Sequence, residues 1–353
     1  MRLTVRRLVI LKIEGYDSIG IVSFATYLPK DRMTGKEIAD LAKLPEDVVE
    51  KKLGIIEKTI PGEEDHTVEM GVRAATKALK NASISSEEID LIIYIGEEHK
   101  EYPLWTASIY IQKRLRAKNA WAFDISLRCS TTVMAMKVAK ALMQTNENIQ
   151  TVLLAGGYRN GDFIDYTNER TRFMYNLAAG GGAIILKKSY GVNELLETEI
   201  ITDGSFSEDV YVPVGGTIEP LTKSLLESKK YNLDVIDPEG MKSRLEEKSL
   251  RNFLTVIRGS LKNSGYSEDE LDYLAILHMK RSAHDYVINE LNLSELQTSY
   301  LDHIGHVGQF DQLISLEKAV NSGNVQDGSV VCMVSAGIGY AWAANTIRWG
   351  RST

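Results

Sequence analysis

LKNASISSEEIDLIIYIG (residues 79–96) returns 182 positions later as LKNSGYSEDELDYLAILH (residues 261–278). Leu79/Leu261, Lys80/Lys262, Asn81/Asn263, Ser85/Ser267, Glu88/Glu270 and Asp90/Asp272 are identical pairs. Both copies read as a helix end, a polar turn with an acidic start signal, and a buried strand. A second echo supports the first. VAKALMQTNENIQTVLLAGG (138–157) and LEKAVNSGNVQDGSVVCMVSAG (316–337) each run from a helix through a polar turn into a buried strand ending in small residues. LIIYI, TVLLA and SVVCMVSA lack the alternation of a half-exposed strand, which predicts cover on both faces. The pattern predicts an α/β protein of two duplicated βαβ halves, residues 1–188 and 189–353, each with a mostly parallel sheet. Halves related in this way should face one another, with matching loops meeting near a pseudo-two-fold axis.

Those matching loops carry the chemistry. FDISLRCSTTVMAMKVAKAL (123–142) runs from a strand into a short loop and then a helix, with Cys129 close to the helix start. Backbone N–H groups and the helix dipole there favour a thiolate, and a thiolate is a nucleophile. The equivalent loop of the second half, DHIGHVGQFDQ (302–312), carries His306. In the first echo the second-half strand ends on His278, and its twin ends at Gly96-Glu97-Glu98. Cys129, His278 and His306 therefore converge at strand C-termini, with Glu98 as a fourth neighbour. One imidazole can hold the thiolate, and two N–H donors can stabilise an enolate or oxyanion.

Bulk properties narrow the class. The 353 residues are 44% hydrophobic and 25% charged, with 7 Pro and no low-complexity tract, as in a globular soluble protein. A net charge of −7 argues against nucleic acid as a partner. Cys129 and Cys332, the two cysteines, make neither a disulfide framework nor a metal cluster, and fit a reducing cytoplasm. No apolar run approaches the ~20 residues of a membrane span. The opening MRLTVRRLVILKIEG reads as a start-site extension or an edge strand, because Lys12 and Glu14 break its apolar run.

At these residues the chain resembles the thiolase superfamily, and most of all its β-ketoacyl-acyl-carrier-protein synthase III branch. SIGIVSFATYLPKDRMTGKEIA (18–39) is similar to the opening strand and its YLP turn, and KKLGIIEKTI (51–60) to the segment that usually reads R-T-G-I-x-x-R. FDISLRC matches the approach to the nucleophile, and NLAAGGGAIIL (176–186) the glycine-rich strand region. LAILHMKR (274–281) holds the place of H-Q-A-N, and GIGYAWAANTIRW (337–349) follows the closing G-x-G-x-x-W-x-A-x-x-x-R-W. The resemblance implies a thiolase-like fold, a five-layer αβαβα arrangement, and a homodimer built partly on the strand before the cysteine.

It also implies an acyltransferase. Cys129 would take an acyl group from an acyl-CoA, and a malonyl thioester, malonyl-acyl-carrier-protein or malonyl-CoA, would condense with it. CoA thioesters enter as substrates, with no cofactor and no metal. His278 would donate to the thioester or enolate oxygen, and backbone N–H groups near Gly337, Gly339 and Cys129 would form an oxyanion hole. Lys51, Lys52, Lys58, Lys280 and Arg281 form a candidate basic patch for an acidic carrier, and Lys52 and Arg281 candidate substrate contacts.

The departures from the family pattern are specific. His306 stands where the branch has Asn, and Met279 and Arg281 replace Gln and Asn. Val48 stands where an adenine-stacking Trp is frequent. Arg128 precedes the cysteine where a small residue is usual; it can depress the thiol pKa, bind an acidic acyl group, or form a salt bridge. GYRNGDFIDYTNERTRFMYN (157–176) can line a polar acyl pocket, make a dimer contact, or be a solvated face. A second reading is a hydroxymethylglutaryl-CoA-synthase-like condensation without decarboxylation, with Glu98 in IGEEHKEYP (95–103) as general base. The same Glu could serve a condensation of two long acyl chains. A third reading is a scaffold that retains the fold without turnover.

Overall fold

The computed structural model describes residues 18–227 and 231–351, so the opening 15-residue reading lies outside the described residues. The first half contains β1 (Ile19–Tyr27), β2 (Arg32–Thr34), α1 (Gly35–Ala42), β3 (Glu57–Thr59), α2 (Thr67–Ala82), β4 (Leu91–Tyr94), α3 (Ala107–Leu115), β5 (Trp121–Asp124), α4 (Thr131–Thr145), β6 (Thr151–Tyr158) and β7 (Gly180–Lys188). The second contains β8 (Val192–Thr202), β9 (Val210–Tyr211), α5 (Lys223–Glu227), β10 (Asp234–Val235), α6 (Pro238–Asn263), β11 (Tyr273–Ile276), α7 (Arg281–Glu290), α8 (Asp311–Ser322), β12 (Val330–Gly337) and β13 (Ala341–Arg351).

The sheet runs β11-β12-β13-β8-β1-β7-β6-β4-β5. Its two halves meet at the seam between β1 and β8, where one residue pair, Gly20 with Glu194, is in register. α4 touches β6 on one side of the seam and β8, β12 and β13 on the other, and α8 touches β1, β11 and β12. α2 packs on β1, β6 and β7, and α6 on β8, β12 and β13. The layers are therefore helix, sheet, helix, sheet, helix, the thiolase-type order.

The repeated residues have a physical role. Ser85 and Glu88 form a capping box, and Ser267 and Glu270 form its copy. Asp90 accepts from the Gln150 and Thr151 N–H groups at 2.8 and 2.9 Å, tying β4 to the start of β6. Asp272 accepts from Val330 N–H at 2.7 Å and ties β11 to β12 in the same way. Burial is complete along Leu91, Ile92 and Ile93, as expected of strands covered on both faces.

The expectation of mostly parallel sheets is corrected. β4–β5, β4–β6 and β11–β12 are parallel, but β6–β7, β1–β7, β12–β13 and β13–β8 are antiparallel. No crossover helix lies between β6 and β7 or between β12 and β13, so each returning strand lies beside its predecessor. In the second half the place of β5 is reduced to one parallel bridge, Leu274 with Thr298.

Candidate active site

β5 delivers the chain to a tight turn. Leu127 lies at φ −146°, and Arg128 at φ +50°, a left-handed conformation that a side chain adopts at a cost. The turn is held by Thr131, whose Oγ1 accepts from Leu127 N–H at 2.8 Å and donates to the Arg128 carbonyl at 2.6 Å. Cys129 is thereby set one residue before Ser130, the N-cap of α4, and is buried. Gly337, at the end of β12, packs directly against this turn. A Cβ there would lie 2.8 Å from the Leu127 carbonyl oxygen and 3.1 Å from the Cys129 nitrogen. Gly337→Ala should therefore displace the nucleophile and lower activity by about 10²-fold, the cost of a roughly 1 Å misplacement. A steady-state assay on the folded variant checks this, and wild-type rates would contradict it.

His306 comes from the other half. Its backbone is clamped to the first half: His306 N–H donates to the Asn176 carbonyl at 2.8 Å, and Ala178 N–H donates to the His306 carbonyl at 2.9 Å. Nε2 lies 3.3 Å from Cys129 Sγ. Nδ1 lies 2.5 Å from Oδ2 of Asp311, the first residue of α8 and fully buried. Asp311 is fixed twice more, accepting from Val307 N–H at 2.7 Å and from His278 N–H at 2.7 Å. Burial opposes the charge on His306, but the Asp311 carboxylate and the Cys129 sulfur outweigh it and hold the imidazole pKa well above its ordinary value. A Cys–His–Asp relay results.

His278 behaves oppositely. Burial pushes its pKa down to about 3, helped by His306 and His284 and opposed by the Gly54 backbone. Neither ring nitrogen makes a hydrogen bond of normal geometry among the described residues. A neutral imidazole with unpartnered nitrogens is suited to receive a substrate oxygen.

Glu97 and Glu98 diverge. Glu97 is 2% exposed and Glu98 69%, and Arg128 stands between them, 3.4 Å from the first and 3.2 Å from the second. Burial raises the Glu97 carboxyl pKa against the pull of Arg128 and Asn160. Glu97, Arg128, Cys129, His278 and His306 all border one cavity of about 540 Å³, and Glu98 does not. The cavity continues between Met174 and Leu177 on one side and Met241, Leu245 and Phe253 of α6 on the other. α6 has 26 residues and its counterpart α2 has 16, and the extra N-terminal turns supply Met241 and Leu245 of this wall. Arg170, Lys242, Glu246 and Lys280 add charge to the lining.

The remaining expected contacts fall elsewhere. Lys52 is exposed on a wide helical turn, Val48–Leu53, and Arg281 pairs with Asp285 at 2.7 Å at the start of α7; neither borders the cavity. Lys58 is not part of a surface patch. It is buried, donating to the Tyr175 and Leu177 carbonyls at 2.8 and 2.6 Å, and burial lowers its pKa to about 7. Gly339 lies at φ +111° in the turn between β12 and β13. In the 157–176 segment, Arg170 and Asn176 reach the cavity, while Arg159 pairs with Asp162 at 2.7 Å. Asp311 and Glu97 are the residues that sequence reasoning did not single out. The available signals were an Asp opening the helix after His306, and a second Glu beside Glu98.

Comparison with known proteins agrees with this architecture. Residues 123–204 match the family model of 3-oxoacyl-[acyl-carrier-protein] synthase III, and residues 261–349 match its C-terminal model. A β-ketoacyl-[acyl-carrier-protein] synthase III of Wolbachia pipientis is 25% identical over 327 residues, 92% of this chain and 97% of the relative. The synthase III structure from Aquifex aeolicus superposes with a TM-score of 0.79 at 23% identity, covering 94% of this chain and all of that one. A structure of Xanthomonas campestris OleA with bound lauric acid and lauroyl-CoA has a TM-score of 0.79 at 16% identity, covering 95% of this chain and 100% of that one.

Proposed function

Taking as premise that the chain is a synthase III-like condensing acyltransferase of the thiolase fold, we propose that Cys129 carries the acyl group. The observation that carries the reading is the relay from Cys129 through His306 to Asp311, with Cys129 and His306 on the wall of a largely apolar cavity. The thiolate attacks an acyl-CoA carbonyl, the C–S bond to CoA breaks, and His306 gives its proton to the departing thiolate. N–H groups at Cys129 and in the turn of Gly337 and Gly339 hold the oxyanion. A malonyl thioester then binds and loses carbon dioxide, and its enolate, held by His278, attacks the acyl carbon; a C–C bond forms, the C–S bond to Cys129 breaks, and the thiolate is restored. The apolar wall from α6 suits a thioester arm or an alkyl chain. Homodimerisation would use β5, which pairs only with β4 among the described residues and exposes Trp121.

A second reading rests on Glu97. A buried carboxylate with a raised pKa, bordering the same cavity as the nucleophile, can abstract an α-proton, giving condensation without decarboxylation. This role was expected of Glu98, whose side chain points to solvent. Intact-protein mass spectrometry after a panel of acyl-CoAs, followed by malonyl-carrier or acetoacetyl-CoA, separates the readings. Discharge by the malonyl thioester with Glu97→Gln nearly as active supports decarboxylation. Discharge by acetoacetyl-CoA, with Glu97→Gln slower by about 10²-fold or more, supports the second reading. A protein that never acquires an acyl group sinks both and leaves the scaffold.

A further inference from the structure

We infer that the acyl group on Cys129 is also passed to an alcohol hydroxyl, with His306 taking the hydroxyl proton, so that an oxygen ester leaves the site. The inference rests on the acyl-enzyme reading above and extends it to a different class of acceptor.

The nitrogen of His306 that holds the proton decides the chemistry. Asp311 lies 2.5 Å from Nδ1, and its carboxylate is kept in place by the Val307 and His278 N–H groups, so it is not free to turn away. A carboxylate in that position fixes the neutral imidazole with its proton on Nδ1. Nε2 then presents a lone pair toward Cys129, 3.3 Å away. This state arises in turnover, because His306 spends its Nε2 proton on the departing CoA thiolate. An enolate oxygen calls for an N–H donor at that point, whereas a hydroxyl calls for a base. After acylation His306 is a base. The N–H groups at Cys129 and in the turn of Gly337 and Gly339 remain as donors to the acyl carbonyl oxygen.

The step balances without a further reactant. The alcohol O–H proton moves to Nε2, a C–O bond forms at the acyl carbon, and the C–S bond to Cys129 breaks. The thiolate and the imidazolium are both restored. The cavity of about 540 Å³ has room for an acceptor beside the acyl group. Asp311 is the positioning residue in this scheme and does not itself touch substrate.

The test uses p-nitrophenyl acetate, whose leaving group needs no proton from His306, to load the intact protein, with intact mass as the record of loading. Methanol is then added and methyl acetate is measured across a range of pH. The expected result is ester formation faster than from a free thioester, rising with pH through one ionisation. Asp311→Asn should load more slowly than wild type and, measured on the loaded fraction, discharge to methanol about 10²-fold more slowly or worse and lose that pH dependence. His306→Gln lacks the partner of the Cys129 thiolate and should load slowly; the fraction recorded as loaded by intact mass should not discharge to methanol. Loaded protein that methanol attacks no faster than a free thioester, while a malonyl thioester still discharges it, overturns the inference and spares the condensing reading. Asp311→Asn with an unchanged rate and pH profile overturns it as well. Protein that never loads overturns both readings.

Discussion

Cys129→Ala is expected to fold normally and to take no acyl group from any thioester, with turnover reduced by about 10⁵–10⁶-fold, the scale at which removal of a nucleophile acts. The fold should survive because the turn around Cys129 is held by Thr131 and by the close approach of Gly337, and the sulfur contributes to neither. The unfolding midpoint should therefore stay within a few degrees of wild type. The sulfur also helps keep His306 charged, so the variant should show a lower His306 pKa by NMR titration, with Asp311 still holding it above the ordinary range. An acyl adduct on Cys129→Ala would move the nucleophile elsewhere.

His278→Ala should separate the two halves of the reaction. Acylation of Cys129 relies on His306 and Asp311 and should persist, so the adduct forms. Condensation should fall by about 10²–10³-fold, as expected when one oxyanion donor is removed. Equal loss in both steps would deny His278 a role confined to the second. The pH behaviour provides a second check. Burial lowers the folded-state pKa to about 3, so over the window from about 6.5 down to about 3 the unfolded chain binds a proton that the folded chain refuses. Wild-type stability should fall through that window as pH drops, by up to about 1.4 kcal/mol per pH unit, and His278→Ala should flatten the slope. His284, lowered to about 4 by burial, adds in the same direction and remains in the variant. Because His278 stays neutral above about pH 3, no limb of an activity profile near neutrality belongs to it.

Much of this was legible in the chain. The repeat was readable because capping boxes and strand-tying aspartates are local devices, and Ser85, Glu88 and Asp90 perform the same work as Ser267, Glu270 and Asp272. That Cys129, His278 and His306 come together at one cavity was readable because duplicated loops must meet. Strand direction was not, since an apolar run such as SVVCMVSA reads alike whichever way its neighbour points. Glu97 and Glu98 follow a strand end, where the alternation that assigns a side chain to one face has ceased. Lys58 looked like surface charge, and its burial depends on two carbonyls more than a hundred residues away. Asp311 lies in the same segment as His306, but its partner is a ring nitrogen whose orientation only the folded loop decides.

The seam between β1 and β8 places the nucleophile and its base on opposite sides of a junction with one residue pair in register. What aligns them is the docking of α4 and α8 between the sheets, together with the His306 backbone clamp at Asn176 and Ala178. Each half carries its own hydrogen-bonded ladder and its own helix caps, so secondary structure can outlast that docking. Thiol reactivity is then a gauge of how the halves sit. A slight parting would switch the cysteine off while circular dichroism still recorded a folded protein, and the site would be the first casualty of heat or denaturant.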